Sequence, residues 1–145
     1  MFRHLLLVLV GIVTVSACEE RIASATEVPR QTVFAPGEGG YKAYRIPSLL
    51  STPKGTVLAF CEDRKNGRGD SGDIDLLVKR STDGGKSWSK SAVVWDDGEN
   101  TCGNPCPVID EATGVIHMLM TWNLGSDHGG SLHAGTGGNS TSILL

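Results

Sequence analysis

Helical periodicity is nearly absent from this sequence beyond its first twenty residues. Without apolar residues returning every three to four positions, there is little to build an amphipathic helix from. Basic charge is also in short supply: 13 Lys and Arg stand against 16 Asp and Glu, for a formal net charge of −3. That balance gives no support for nucleic-acid binding, which calls for a basic patch or stripe, so any positive site must be local. Metal-ligand spacing is thin. Cys102-x3-Cys106 offers two ligands, with His117 or His128 as candidate further ones, and no metal site is expected from so little. What the sequence does have is 19 glycines and a series of short apolar runs separated by turn clusters. Those features predict an all-β chain, and 145 residues are enough to bury a core.

The N-terminus reads as an export signal. Arg3 and His4 precede an apolar run over residues 5–15, too short for a permanent membrane span, and Ser16-Ala17-Cys18 follows. Val15-Ser16-Ala17-Cys18 resembles the bacterial lipobox, in which the signal is cut before a cysteine that is then lipidated. Residues 1–17 are therefore expected to be a lipoprotein signal peptide, with Cys18 lipidated and the protein on the bacterial outer membrane or cell surface through that anchor. Ordinary cleavage would instead leave it periplasmic or secreted. Residues 18–40, polar and carrying Pro29 and Pro36, are expected to be a tether and lead-in, with one strand at 31–34.

From residue 41 the strand signals come at short intervals. Strands are predicted at 43–50 and 56–62 around the turn Thr52-Pro53-Lys54-Gly55, then at 74–81 and 92–95 around Asp83-Gly84-Gly85. Four antiparallel strands in succession make one propeller blade or one sandwich sheet. A second copy begins near Asn104, where Pro105-Cys106-Pro107-Val108 mirrors Pro47-Ser48-Leu49-Leu50, and Gly114 follows Gly55 by 59 residues. A blade-length period in an all-β chain favours a propeller. Since a ring takes at least about four blades, the chain is expected to hold roughly one to two blades of something longer.

The chemistry concentrates in residues 44–88. Arg45 and Arg64 offer the planar fork that captures a carboxylate with two parallel bonds, and Asp70 sits on a Gly-flanked loop where it can approach a ligand as a proton donor. Asp73 and Asp75 compete for the acid role, Asp75 less well because it falls inside a strand pattern. Together these groups point to an anionic substrate. Ser81-x-Asp83-x-Gly85-x-x-Trp88 is an Asp box, expected to be structural: Asp83 accepts backbone N–H groups across the turn, the glycines allow positive φ, and Trp88 packs beneath.

Taken in order, Arg45-Ile46-Pro47, Arg64, Asp70 and the Asp box resemble the N-terminal part of the bacterial exo-α-sialidases, or neuraminidases, over about residues 41–127. The resemblance implies a six-bladed β-propeller, of which residues 41–145 would be the incomplete N-terminal part, and hydrolysis of terminal α-linked sialic acid with retention. Arg45 would be the first of three arginines that hold the sialic acid carboxylate. Arg64 would reach the hydroxyl side of the ring, and Asp70 would be the general acid and base. Asn104, where several bacterial relatives carry an Asp, and Trp122 would line the N-acetyl and 4-hydroxyl region, although a strand Trp serves equally well as core. Sialidases use a tyrosine nucleophile in place of a carboxylate. Tyr41 and Tyr44, the two tyrosines here, do not match it, and the family's other two arginines and its glutamate would lie beyond Leu145. The chain is therefore expected to be truncated or frameshifted and inactive by itself. Substrates would be sialylated glycoproteins, glycolipids or oligosaccharides, with no cofactor. A non-enzymatic sialic-acid-binding or adhesion propeller and a trans-sialidase are the alternatives. Cys61, Cys102 and Cys106 are expected to be buried thiols, or to form one bridge of unassigned partners.

Overall fold

The computed structural model describes residues 30–138 and 140–145. The expected signal peptide, Cys18 with its expected lipidation, and residues 18–29 of the expected tether lie outside the described residues. Seven strands follow a short 3-10 turn at Glu38–Gly40: β1 (Ala43–Ser51), β2 (Val57–Arg64), β3 (Ile74–Ser81), β4 (Ala92–Trp95), β5 (Thr101–Ile109), β6 (Ile116–Asn123) and β7 (Ser140–Leu144). A helix of five residues, α1 (Gly129–His133), sits in the glycine-rich β6–β7 connection.

The first four strands form an antiparallel meander, β1-β2-β3-β4. The next three repeat it as β5-β6-β7. A single parallel pairing, Ile74 with Thr101, joins the two sheets at one corner. Between them lies one core of Phe60, Leu76, Cys102, Met118 and Met120, with Leu58, Val78, Trp95 and Trp122 packed against it. A four-strand meander followed by a second, here of three strands, that packs against it matches the blades of a β-propeller, so the chain is a partial propeller.

The repeat extends to a strained detail. In β1 the pairing with β2 skips from Arg45 to Ser48, and in β5 the pairing with β6 skips from Gly103 to Cys106. Each bulge holds a residue with positive φ before a proline: Ile46 at 52° and Asn104 at 53°. A left-handed conformation at a non-glycine residue costs on the order of 1–3 kcal/mol and is kept where the surroundings impose it. Both bulges lie at the same rim, the end of β1 and β5 nearer the Ile74–Thr101 corner.

The expected strand at 31–34 does not form. That segment crosses the back of the first sheet, where Lys79 Nζ donates to the Val33 carbonyl at 2.7 Å and lies 5.0 Å from the Phe34 ring centroid. Its apolar residues dock onto the sheet and add no strand to an edge.

Candidate functional site

Alternation along β2 sorts its side chains. Leu58, Phe60, Glu62 and Arg64 share one face; the first two join the core, and the charged pair continues that face to the bulge rim. Arg64 is almost fully buried, and its Nη2 meets Glu62 Oε2 at 2.5 Å. Its Nη1 turns to the 65–73 loop, donating to the carbonyls of Arg68 (2.9 Å) and Gly69 (2.5 Å) and to Asp70 Oδ1 (2.7 Å). Arg45, just before the first bulge, places Nη1 2.6 Å from the same Asp70 oxygen. Its carbonyl accepts the Cys61 thiol at 3.1 Å.

Asp70 itself is exposed, and its pKa is lowered chiefly by the Arg64 hydrogen bond, with the Arg45 charge adding to it. The free site therefore holds a carboxylate between two guanidinium groups. Burial works against the charge on Arg64, but its bonds to Glu62 and Asp70 outweigh that and raise its pKa. Arg64 Nε has no partner among the described residues. Beside these groups is a small cavity of about 160 Å³, lined by Glu62, Arg64, Asp70, Gly103 and Asn104.

Asn104 enters from the second blade. Its backbone N–H donates to Glu62 Oε1 at 2.8 Å and its Nδ2 to Thr121 Oγ1 at 2.8 Å. Arg45, Arg64, Asp70 and Asn104 thus come together. Trp122 does not join them: its indole N–H reaches Asp97 Oδ2 at 2.7 Å, and its ring packs against the core. Asp73 pairs with Lys65 at 2.9 Å, and the buried Asp75 accepts the Tyr41 hydroxyl at 2.6 Å and Lys65 at 3.1 Å. Asp70 is the carboxylate of that loop that reaches both arginines. Tyr41 is pushed well above the ordinary range by burial and by Asp75, and burial lifts Tyr44 to about 12, so neither is prepared as a nucleophile.

The Asp box closes the β3–β4 turn as a structural device. Ser81 Oγ donates to Asp83 Oδ1 (2.7 Å) and accepts the Gly85 N–H (2.8 Å), while Asp83 accepts the Ser87 N–H (2.9 Å) and hydroxyl (2.5 Å). The Ser87 bonds are the leading reason its pKa is lowered. Cys61 and Cys102 are buried thiols that burial raises to about 12, whereas Cys106 is exposed; no disulfide links the three. Glu62 and Gly103 were missed from the sequence. The spacing Glu62-x-Arg64 puts two strand residues on one face but carries no sign of the contact with Asn104.

Fold and site together define a partial β-propeller that gathers two arginines and a loop carboxylate at one rim, a grouping chemically able to hold an anionic group. The comparisons with known proteins narrow that class. A sialidase of Paraclostridium sordellii is 34% identical over 134 residues, 84% of this chain and 33% of its own length. An exo-alpha-sialidase of Arthroderma benhamiae is 33% identical over 119 residues, 78% of this chain and 29% of its own. Among solved structures, the Hadza microbial sialidase Hz136 is similar with a TM-score of 0.57 at 32% identity, over 64% of this chain and 20% of that one. No family model matches the chain. Over the part they share, these matches group the chain with the sialidases, and the chain spans about a third or less of the length of the curated relatives it matches.

Proposed function

We propose that this chain carries the first part of an exo-α-sialidase site, the part that receives the sialic acid carboxylate and protonates the leaving glycosidic oxygen. The observation behind the reading is the pair of arginines converging on one Asp70 oxygen at 2.6 and 2.7 Å. An arriving ligand carboxylate would take the Arg45 fork, which is half exposed, and displace Asp70 from it. Freed from one cation, Asp70 would hold a proton more readily, as a general acid must. Substrates on this reading are terminal α-linked sialic acids of glycoproteins, glycolipids or oligosaccharides.

A second reading, sialic-acid binding without turnover, draws on a different observation. Asp70 rests as a carboxylate, and both tyrosines are hydrogen-bonded and raised in pKa, so these residues are set for capture more than for chemistry. One experiment separates the two. Binding of an α-methyl sialoside and hydrolysis of an aryl α-sialoside are measured on a propeller completed with the blades that the sialidase relatives carry beyond the matched part, and on its Arg45→Lys and Asp70→Asn forms. Both readings expect Arg45→Lys to weaken binding by roughly 10–100-fold, the value of a charge-assisted bond. Hydrolysis abolished by Asp70→Asn with binding kept supports the enzyme. Binding with no hydrolysis in any form supports the lectin-like reading, and affinity indifferent to Arg45→Lys overturns both.

A further inference from the structure

Glu62 is a buried carboxylate with two different commitments. Both its oxygens are used: Oε2 meets the Arg64 guanidinium at 2.5 Å and Oε1 accepts the Asn104 N–H at 2.8 Å. Arg64 belongs to the first blade and Asn104 to the second. A buried charge costs several kcal/mol unless paired and hydrogen-bonded, so this one is held in place by both partners at once.

The second blade is shaped to admit it. Asn104 is a bulge residue whose N–H is released from pairing with β6, and the left-handed backbone at φ 53° leaves that N–H free to meet Glu62. Gly103 precedes it in the place that Arg45 occupies in the first blade. A Cβ there would lie 2.5 Å from Glu62 Oε1 and 3.2 Å from its carboxyl carbon. The missing side chain at 103 is the space that the Glu62 carboxylate fills.

We propose that Glu62 is a positioning residue that locks Arg64 and the Asn104 bulge into one geometry across the blade boundary. By taking Nη2 of Arg64 it leaves Nη1 for the loop that carries Asp70, and by taking the Asn104 N–H it fixes where the Asn104 side chain enters the cavity. Its functional weight rests on the reading of Arg64, Asp70 and Asn104 as sialic-acid-binding groups; its structural content does not.

The test uses Glu62→Gln in the full chain. The amide nearly preserves shape but has one acceptor and one donor, so it must set an NH2 against either Arg64 or the Asn104 N–H. Nuclear magnetic resonance follows the Asn104 amide proton and the Asp70 carboxyl titration, with the Ser81 and Gly85 amides as a folding control. The expected result is an upfield move at Asn104 together with a displaced Asp70 midpoint, the control signals staying put. Gly103→Ala, which pushes Glu62 aside without changing its charge, should reproduce both. Unchanged Asn104 and Asp70 signals in either folded variant overturn the proposal. Should neither variant fold, the wild-type chain still decides, because an Asn104 amide that exchanges as fast as free backbone refutes the Glu62 contact and a protected one supports it. Affinity for the α-methyl sialoside is then compared, with a drop of about tenfold expected in Glu62→Gln. A wild-type chain that binds no sialoside would sink the proposed function and leave the resonance result standing.

Discussion

Ser81 holds the Asp box turn from both sides. It is buried, accepts the Gly85 N–H and donates to Asp83, so its hydroxyl connects the end of β3 to the left-handed pair Gly84 and Gly85. Ser81→Ala strips the Gly85 donor of its acceptor, and a cost of about 1–3 kcal/mol follows, read as a lowered thermal midpoint. Sialoside affinity should not change. Ile74, next to the site loop, is seven residues away along β3, about 23 Å at roughly 3.3 Å per residue. A loss of affinity equal to the loss of stability would contradict this division between turn and site. The meeting of Arg45, Arg64 and Asp70 and the bonds of the Asp box turn were readable in the sequence because each is made by a side chain at a fixed spacing. Glu62 and Gly103 were not. Their significance exists only once β2 and β5 lie side by side, and nothing in either local sequence says that they do.

The strands show the same contrast one level up. β3 and β4 fall where alternation placed them, whereas β5 begins at Thr101, ahead of the Asn104 start read from the repeat, because the bulge at Gly103 to Pro105 interrupts its period of two. Five residues with two glycines gave α1 no helical signature. β2 has a second charged face that the sequence did not announce. Asp63 points away from Glu62, is fully buried, and pairs in register with Asp75 on β3. Neither Asp63 oxygen has a partner among the described residues, and burial, followed by the Asp75 charge, lifts its pKa from 3.8 to about 8. Between those values the folded chain keeps a proton that the unfolded chain has released. Stability contributed by that proton is complete below the unfolded value and is lost as pH rises towards 8. The wild type should therefore melt at progressively lower temperature from pH 5 to 9. Asp63→Asn, a neutral near-isostere, should flatten that slope and be the more stable form at pH 9. Equal slopes in the two proteins would place the pH dependence elsewhere.

At the scale of the molecule, two sheets share one core. Phe60 and Leu76 come from the first blade and Cys102, Met118 and Met120 from the second, so each sheet supplies one side of that core. The site inherits that arrangement, since Glu62 stands one alternate position beyond Phe60 on the same face of β2 and bonds across the same boundary. Unfolding should then be a single event: amides of β2–β3 and β5–β6 should open with the same free energy in native-state hydrogen exchange. Phe60→Ala sharpens the expectation. Removing that buried ring costs about 3–5 kcal/mol, and if the core is common, the loss appears equally in β6, which the mutation does not touch covalently. Protection lost in β2 and β3 but retained in β5 and β6 would mean that the second blade stands by itself. The contact between Glu62 and Asn104 would then join two independent units and could not hold one geometry.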